Sequence, residues 1–332
     1  MKAMNVQRFL LFGVIIIGFY SVSSGQTQTS SNPTPIDNAT ELKNLLKRVG
    51  ERVQEYNDGM FSIAFTEVVR QQELRSDATP KGKSKEFVYE SVVLSRASSA
   101  NQQDAFPVVT RTLKSVDGKL PEQKNLPQRS KCVDTNPQPA YADPLTFLMP
   151  NNQANFIFSY EGEAELQGRR TAMLTFTTPP VSEPVKVVVK DNCFRLSRGL
   201  QRRGKVWIDP SSYDVIQLEW QLAESFSGKI PAGVTRVGIL PVFRPRKELS
   251  YEKSDTTIRF RPVTFENPKQ ILLLPTSSES AWILKGGGIA GFRTTTDYTR
   301  YRRFVTSVEI KDSDEVRIEL SSLAVTPKAD AR

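Results

Sequence analysis

The chemistry open to this chain is limited by one absence, because none of its 332 residues is a histidine. Ser-His-Asp and Cys-His hydrolysis, zinc sites with histidine ligands and imidazole acid–base catalysis all need that side chain. Pairs of carboxylates remain, which glycosidases use when two of them face each other across a cleft. The candidates for such a pair are Asp209, Asp214, Glu161 and Glu163. Nothing in the sequence indicates that two of them converge across a cleft. We therefore interpret Asp209 and Asp214 as turn caps and predict no catalytic residue.

One glycine motif has the spacing of a nucleotide-binding loop. Gly286, Gly288 and Gly291 match the pattern GxGxxG, but a dinucleotide site needs a helix directly after the loop. Phe292 to Thr296 is instead rich in β-branched residues, which favour strands. We interpret the glycines as a flexible hairpin loop and predict no cofactor and no metal.

Basic residues are concentrated in two places. The densest cluster predicts a basic surface and comprises Arg195, Arg198, Arg202 and Arg203. Between Tyr298 and Phe304, arginines alternate with aromatic residues, a pattern typical of single-strand nucleic-acid binders and equally of any exposed basic strand. We interpret it first as a plain solvated face; since the chain looks exported, an anionic envelope lipid or polysaccharide is the alternative as a partner, and we predict no nucleic acid.

The first 25 residues look like a targeting segment. Lys2 and Arg8 precede an apolar stretch, Phe9 to Tyr20, and small residues follow it up to Gly25. This order is typical of a signal peptide, here cleaved near Gly25. About 12 apolar residues are fewer than the roughly 20 that span a bilayer, although an uncleaved anchor stays open. Cleavage would lower the formal net charge from +9 to +7. We predict a periplasmic or secreted protein that is peripheral to a membrane at most.

The two cysteines are Cys132 and Cys193. In an exported chain we expect them to form one structural disulfide, worth about 4 kcal/mol in the loop-entropy view. Two free thiols or a redox pair are the alternatives, and the missing CxxC spacing is unfavourable to the redox pair.

The rest of the chain divides into a leader, one domain and a tail. Residues 26–37 are polar and predict a flexible leader, residues 38–320 a single β-rich domain, and residues 321–332 a disordered tail. Apolar residues recur at steps of three and four between Asn38 and Asn57, from Leu42 to Tyr56. This spacing predicts one long amphipathic helix packed on a sheet.

Alternating apolar residues predict the sheet. Val206 and Ile208, then Ile216, Leu218 and Trp220, flank a turn-forming stretch, which indicates a β-hairpin with one buried face. A second hairpin spans Asn155 to Thr177, whereas Ala223 to Lys247 looks like a connector with three prolines. Ten or eleven such strands give a mainly β (α+β) fold: a large curved antiparallel sheet or unclosed barrel.

The two hairpins, FSYEGEAELQGRRTAMLTF and GKVWIDPSSYDVIQLEW, lie within residues 155–222. They resemble the repeated strand pairs of the periplasmic lipoprotein-carrier superfamily, the LolA/LolB-like fold, and of exported bacterial proteins related to it. That resemblance implies an unclosed barrel in which helices form a lid over an apolar cavity for acyl chains. This chain departs from the carriers by its length, by a long loop around Cys132 and by additional β pattern after Lys247.

From these observations we predict a non-enzymatic protein that binds a hydrophobic or amphiphilic envelope component, such as a lipid or lipoprotein. A structural or interaction module that uses the basic surface is the alternative, and a carboxylate hydrolase is the third hypothesis. The predicted ligand-binding residues, which would line an apolar cavity, are Phe156, Phe158, Tyr160, Phe176, Trp207 and Trp220.

Overall fold

The structure is a computed structural model. It describes residues 35–60, 62–97, 105–121, 144–180, 183–190, 193–196, 200–230, 233–237, 240–244, 247–266, 269–285, 291–311 and 315–321. The predicted signal peptide, Cys132 and the end of the chain after residue 321 lie outside these residues, as do Gly286 and Gly288. The signal peptide, the disulfide and the domain limits therefore stay predictions.

The described residues begin with one helix, α1 (Pro35–Gly59). Its apolar stripe supplies four buried side chains, Leu45, Val49, Val53 and Tyr56, spaced so that they share one face of the helix. The opposite face carries exposed lysines and glutamates. The helix predicted from Asn38 to Asn57 is confirmed, and it is longer at both ends. Among the described residues, no helix combines the length and apolarity needed to cross a membrane.

Seventeen strands follow α1 in the described part of the chain. Their bounds are β1 (Ile63–Glu73), β2 (Lys85–Ala97), β3 (Ala105–Val116), β4 (Ile157–Leu166), β5 (Arg169–Thr177), β6 (Val187–Lys190), β7 (Cys193–Leu196), β8 (Arg202–Ile208), β9 (Val215–Leu222), β10 (Phe226–Ile230), β11 (Gly233–Val237), β12 (Leu240–Arg244), β13 (Lys247–Glu266), β14 (Lys269–Lys285), β15 (Gly291–Arg303), β16 (Val305–Lys311) and β17 (Glu315–Ser321). Two short 3-10 helices, Thr146–Leu148 and Gln153–Asn155, precede β4.

Eleven of these strands form one antiparallel sheet. Its order is β3-β2-β1-β15-β14-β13-β9-β8-β5-β4, and β10 pairs with β13 beside this path. The terminal strands β3 and β4 do not pair with each other, so the sheet is not closed into a barrel. The fold class predicted from the sequence, a large open antiparallel sheet with one long helix packed on it, is confirmed.

The register gives the central part of the sheet an inner and an outer face. Leu174, Val206, Leu218 and Ile258 lie directly opposite one another across β5, β8, β9 and β13. All four are fully buried in one core cluster with the apolar face of α1. We call this side of the sheet the inner face. On the other side, the outer face, the neighbouring row is polar and comprises Thr175, Lys205, Glu219 and Thr257.

A second core cluster lies where the long β13–β14 hairpin ends. β14 pairs with β15 only from Ser277 to Ile283, so the end of the hairpin is free to pack elsewhere. Its Leu272 and Leu274 are buried with Phe65 of β1. The hydroxyl of Tyr301 on β15 donates a hydrogen bond of 2.5 Å to the Pro275 carbonyl oxygen. This packing joins the end of the β13–β14 hairpin to β1 and β15.

Two sequence expectations about the strands are wrong. The predicted connector, Ala223 to Lys247, contains β10, β11 and β12. The apolar pattern from Tyr298 to Ile310 predicts one strand, but the structure divides it at Phe304 into β15 and β16. Pro241 lies in β12, opposite Arg236. Since β11 and β12 form a separate two-stranded sheet, every position there is at an edge, where proline is tolerated. The strand number is therefore higher than the ten or eleven predicted.

Candidate functional site

The candidate site is the interface between α1 and the inner face, into which the segment Pro144–Phe156 inserts. Phe147, on the first 3-10 helix, lies 4.4 Å from Phe176 of β5 between ring centroids. It lies 5.4 Å from Phe156 and 6.2 Å from Phe158. These are distances at which aromatic rings attract each other beyond simple burial. The four rings form an aromatic cluster on the inner face, in which Phe176 is buried and the other three are half-buried.

Five of the six predicted ligand-binding residues are found in or beside this interface. Phe156, Phe158 and Phe176 belong to the aromatic cluster, and Tyr160 and Trp220 pack half-buried against the same core. The structure brings these five together, and ligand binding by them stays a prediction.

Trp207 lies apart from the other five. It is opposite Met173 and Gln217 in the register, one position away from the inward Val206 and Ile208. Successive side chains of a strand point to opposite faces. Trp207 therefore belongs to the outer face, where it is 8% exposed.

Phe147 was missed by the sequence reasoning. The stretch between Pro144 and Pro150 predicts only a short helical turn. A signal for burial was present, because phenylalanine is among the residue types that are most often buried. Which strand it would meet could not be derived from spacing.

A small cavity lies between the C-terminal half of α1, the segment Pro144–Met149 and the β13–β14 hairpin. Its volume is about 30 Å³, close to the space one water molecule takes in the liquid. Its lining residues are Val53, Tyr56, Asn57, Met60, Pro144, Leu145, Met149, Phe260, Leu273 and Pro275. The lining is largely apolar, and two of its side chains are methionines, which adapt their shape more readily than branched residues.

One carboxylate joins α1 to the sheet. Asp214, in the turn between β8 and β9, accepts a hydrogen bond of 2.8 Å from Nε of Arg52 and another from the hydroxyl of Tyr56. Burial, and next the hydrogen bond to Asp214, raises the pKa of Tyr56 far above its ordinary value. Burial lowers the pKa of Arg52, but hydrogen bonds to Asp214 and Glu55 outweigh that effect and raise it. The tyrosine thus stays a neutral donor and the arginine a cation throughout the pH range of a folded protein.

α1 is also tied to the inserted segment. The side-chain amide of Gln153 donates to the carbonyl oxygens of Leu46 and Leu148, at 2.8 and 2.6 Å. A Cβ on Gly50 would lie 3.0 Å from the Leu148 carbonyl oxygen, so glycine permits a close approach here. α1 and the segment around Leu148 therefore form one covering unit over the inner face.

A shallower groove runs along the other side of α1, with a volume of about 570 Å³. Leu42, Leu46 and Pro150 give it an apolar floor, and Lys43 and Lys47 lie on its rim. It is wide open to solvent, in contrast to the cavity under the helix.

The four candidate carboxylates have other partners. Glu163 forms a two-pronged ion pair with Arg170, and Glu161 accepts from the Thr175 hydroxyl at 2.8 Å. The hydrogen bonds from Arg170 lower the pKa of Glu163. Those from Ser211, in the turn after β8, lower the pKa of Asp209. A general acid needs a raised pKa instead, so neither Glu163 nor Asp209 has the pKa shift of a general acid.

The predicted basic surface is only partly described. Arg202 and Arg203 are exposed at the start of β8, and the Arg202 guanidinium lies 5.9 Å from the Trp220 ring centroid. Nothing is described of the side chains of Arg195 and Arg198. On the outer face, Lys205 lies opposite Glu219, so charges of opposite sign alternate there.

The aromatic residues near the end of β15 belong to the core. Tyr298 and Tyr301 are 1% and 2% exposed, and Arg302 forms an ion pair of 2.6 Å with Glu90. These rings are not available as a stacking platform for bases. Gly291 is followed by a strand, β15. Among the described residues, no group of three or more Cys, Asp or Glu is placed to hold a metal ion.

No protein-family model matches the chain, and no curated protein matches it. The solved structures that are similar to this chain include the following three. A domain from Vibrio parahaemolyticus, described as a putative outer membrane lipoprotein-sorting protein domain, is 13% identical, covers 79% of this chain and 92% of its own, and has a TM-score of 0.36. A LolA superfamily protein from Nitrosomonas europaea is 9% identical, with 77% and 92% covered and a TM-score of 0.33.

The third is a DUF1329 family protein from Desulfovibrio piger, which is 11% identical, with 79% and 92% covered and a TM-score of 0.31. The matches thus include the superfamily that the two hairpins resemble. Because all three TM-scores are below 0.5, we take no ligand, partner or role from them.

Proposed function

We propose that this chain is an exported, non-enzymatic protein that binds the acyl part of a lipid or lipoprotein between α1 and the inner face of its sheet. The observation that carries the proposal is the cavity under α1. Its lining is almost wholly apolar, and it adjoins a core that continues into the aromatic cluster. Apolar pockets of this kind select ligands by burial of hydrocarbon.

The ligand must displace side chains to enter. A cavity of about 30 Å³ is far below the roughly 300 Å³ at which ligand pockets begin. Met60 and Met149 line it, and an unbranched thioether can change rotamer at little cost. We propose that these methionines move aside and that α1 rises with its attached segment, so that an acyl chain takes the place of protein contacts.

The way α1 is attached supports this movement. Apart from its apolar face, the helix is fastened mainly through Asp214 and through Gln153. A neutral hydrogen bond such as those of Gln153 contributes about 1 kcal/mol net, and one to a charged group such as Asp214 about 1.5 to 3 kcal/mol, since water replaces each of them on opening. The strands below are held by continuous ladders. The helix is therefore the part that can open while the sheet persists.

Export is part of the proposal and rests on residues 1–25, whose charged start and short apolar stretch are those of a signal peptide. The alternative, an envelope interaction module with a basic surface, has less support, because the outer face carries both signs of charge.

The test is acyl binding by the wild type and by a cavity-filling variant, Val53→Leu. Val53 is 2% exposed and lines the cavity. One added methylene takes up roughly the volume that is free, and its burial contributes about 0.8 kcal/mol. We expect Val53→Leu to raise the free energy of unfolding by up to that amount and to weaken binding of a dansyl-labelled fatty acid at least fivefold.

Val88→Leu is the matched control, because Val88 lies on β2, opposite Val68 and away from α1. It should bind the dansyl probe like the wild type. The wild type should also carry acyl chains when purified from an exported fraction, as seen by mass spectrometry of an organic extract. If the extract contained no acyl chains and the wild type did not bind the dansyl-labelled fatty acid, the proposal would be wrong.

A further inference from the structure

One buried polar atom in the lining of the cavity under α1 has no hydrogen-bond partner among the described residues. Oδ1 of Asn57 is buried and has no hydrogen-bond partner among the described residues, and Asn57 lines the cavity. Buried polar atoms are nearly always paired, so each exception calls for a physical reason. An amide oxygen is an acceptor, and this one therefore needs a donor.

Three side-chain donors in or near the cavity lining already donate hydrogen bonds to other acceptors. The Tyr56 hydroxyl, in the same cavity lining, donates to Asp214. The Tyr301 hydroxyl donates to the carbonyl oxygen of Pro275, another lining residue. One turn along the helix, the side-chain amide of Gln54 donates to Asp58 at 2.9 Å. Each of these three donors already has an acceptor in the structure, and none is paired with the Asn57 oxygen.

The remaining lining residues are largely apolar: Val53, Met60, Leu145, Met149, Phe260 and Leu273. A group that enters this cavity therefore meets hydrocarbon on most sides and a single acceptor on one. The free volume of about 30 Å³ accommodates one N–H or O–H group next to Asn57. A hydrogen bond in such surroundings is stronger than in water, and a missing donor is correspondingly costly.

We propose that Asn57 is a specificity-determining residue, which accepts a hydrogen bond from an N–H or O–H group next to the bound acyl chain. The ligand class is then amide-linked or hydroxylated acyl chains, whereas ester-linked chains, which have acceptors but no donor, are disfavoured. This inference rests on the proposed acyl-binding function, because it assigns the chemistry of the ligand at the same site.

The experiment compares two ligands that differ at one position. N-methyldodecanamide and methyl dodecanoate have the same chain and differ by N–H against oxygen, and each is titrated as a competitor of the dansyl-labelled fatty acid. We expect the wild type to bind the amide about five- to tenfold more tightly than the ester, the ratio that one net hydrogen bond gives.

Asn57→Leu should bind both competitors with equal affinity, because it removes the acceptor and keeps the cavity apolar. The matched control is Gln54→Leu, three residues earlier and outside the cavity, which should retain the preference for the amide. Circular dichroism and thermal melting of both variants establish that they are folded.

The competition results distinguish a failure of this inference from a failure of the proposed acyl-binding function. Failure of both competitors to displace the probe contradicts the proposed function itself. Displacement with equal affinities in the wild type, unchanged in Asn57→Leu, overturns the inference alone and assigns the Asn57 oxygen to a structural water.

Discussion

At the scale of single residues, one carboxylate connects the two layers of the molecule. Asp214 is 9% exposed and receives hydrogen bonds from Arg52 and Tyr56 of α1. The Arg52 guanidinium also lies 4.7 Å from the Tyr56 ring centroid, close enough for a cation–π contact. Three side chains from two elements thus form one small polar unit at the edge of an apolar interface.

Removal of this carboxylate should loosen α1. In Asp214→Ala the buried Tyr56 hydroxyl and the Arg52 guanidinium both lose their acceptor. We expect the free energy of unfolding to fall by about 1 to 3 kcal/mol, a range that allows for the partial exposure of Arg52. Urea denaturation followed by circular dichroism measures the change.

The control is Asp58→Ala on the same helix. Asp58 is exposed and accepts a hydrogen bond from Gln54, and loss of such a surface contact changes the free energy of unfolding by less than about 0.5 kcal/mol. If the two variants were equally stable, α1 would be held by its apolar face and by Gln153, and Asp214 would have no anchoring role.

The sequence could not predict this unit or the unpaired atom of Asn57. Asp214 follows Pro210 and two serines, a composition that is fully explained by a turn, and its partners lie 158 and 162 residues earlier in the chain. No local pattern reports a contact over such a separation. Whether Asn57 is paired likewise depends on which hairpin packs over the end of α1.

At the scale of elements, the sequence was most informative where one face of a strand is buried. β8 and β9 bury Val206 and Leu218 opposite each other, and alternation of apolar residues reports this directly. It failed for β10 to β12, since each of these strands is only five residues long and the stretch that contains them has three prolines. The alternation also does not tell on which face Trp207 lies, because an aromatic residue in a strand can be buried on either face.

Gly204 shows how closely β5, β8 and β9 pack. A Cβ there would overlap the Glu219 carbonyl oxygen and lie 2.5 Å from Cζ of Phe176. Since a backbone oxygen cannot rotate away, the strands themselves must shift. We expect Gly204→Ala to lower the free energy of unfolding by about 2 to 3 kcal/mol through overpacking, as measured by urea denaturation.

Gly168→Ala separates this steric effect from the conformational freedom of glycine. Gly168 has a φ of 77°, and no atom lies within 4 Å of the position that a Cβ would take. Only the left-handed backbone is therefore penalised, by about 1 kcal/mol. A smaller loss for Gly204→Ala than for Gly168→Ala would mean that the β8 backbone yields easily.

At the scale of the whole molecule, an open sheet has two edges that must be kept from pairing with other molecules. β3 and β4 are the terminal strands of the order. β3 contains Pro107, which has no backbone N–H to donate to a neighbouring strand. In β4, the pairing with β5 shifts register between Tyr160 and Glu163. β4 also carries the exposed acidic residues Glu161 and Glu165. The proline, the register shift and the acidic side chains together make these edge strands unfavourable partners for a strand of another molecule.

If the acidic residues of β4 protect its edge, their loss should cause association. In the double variant Glu161→Thr, Glu165→Thr, two charges give way to a residue that favours strands. We expect concentration-dependent dimers or larger species in sedimentation velocity, under conditions where the wild type does not associate further. The double variant Glu219→Thr, Glu279→Thr loses the same charge on the interior strands β9 and β14. Equal association of both would attribute the effect to net charge rather than to the edge, because interior strands have no free backbone groups to offer a neighbour.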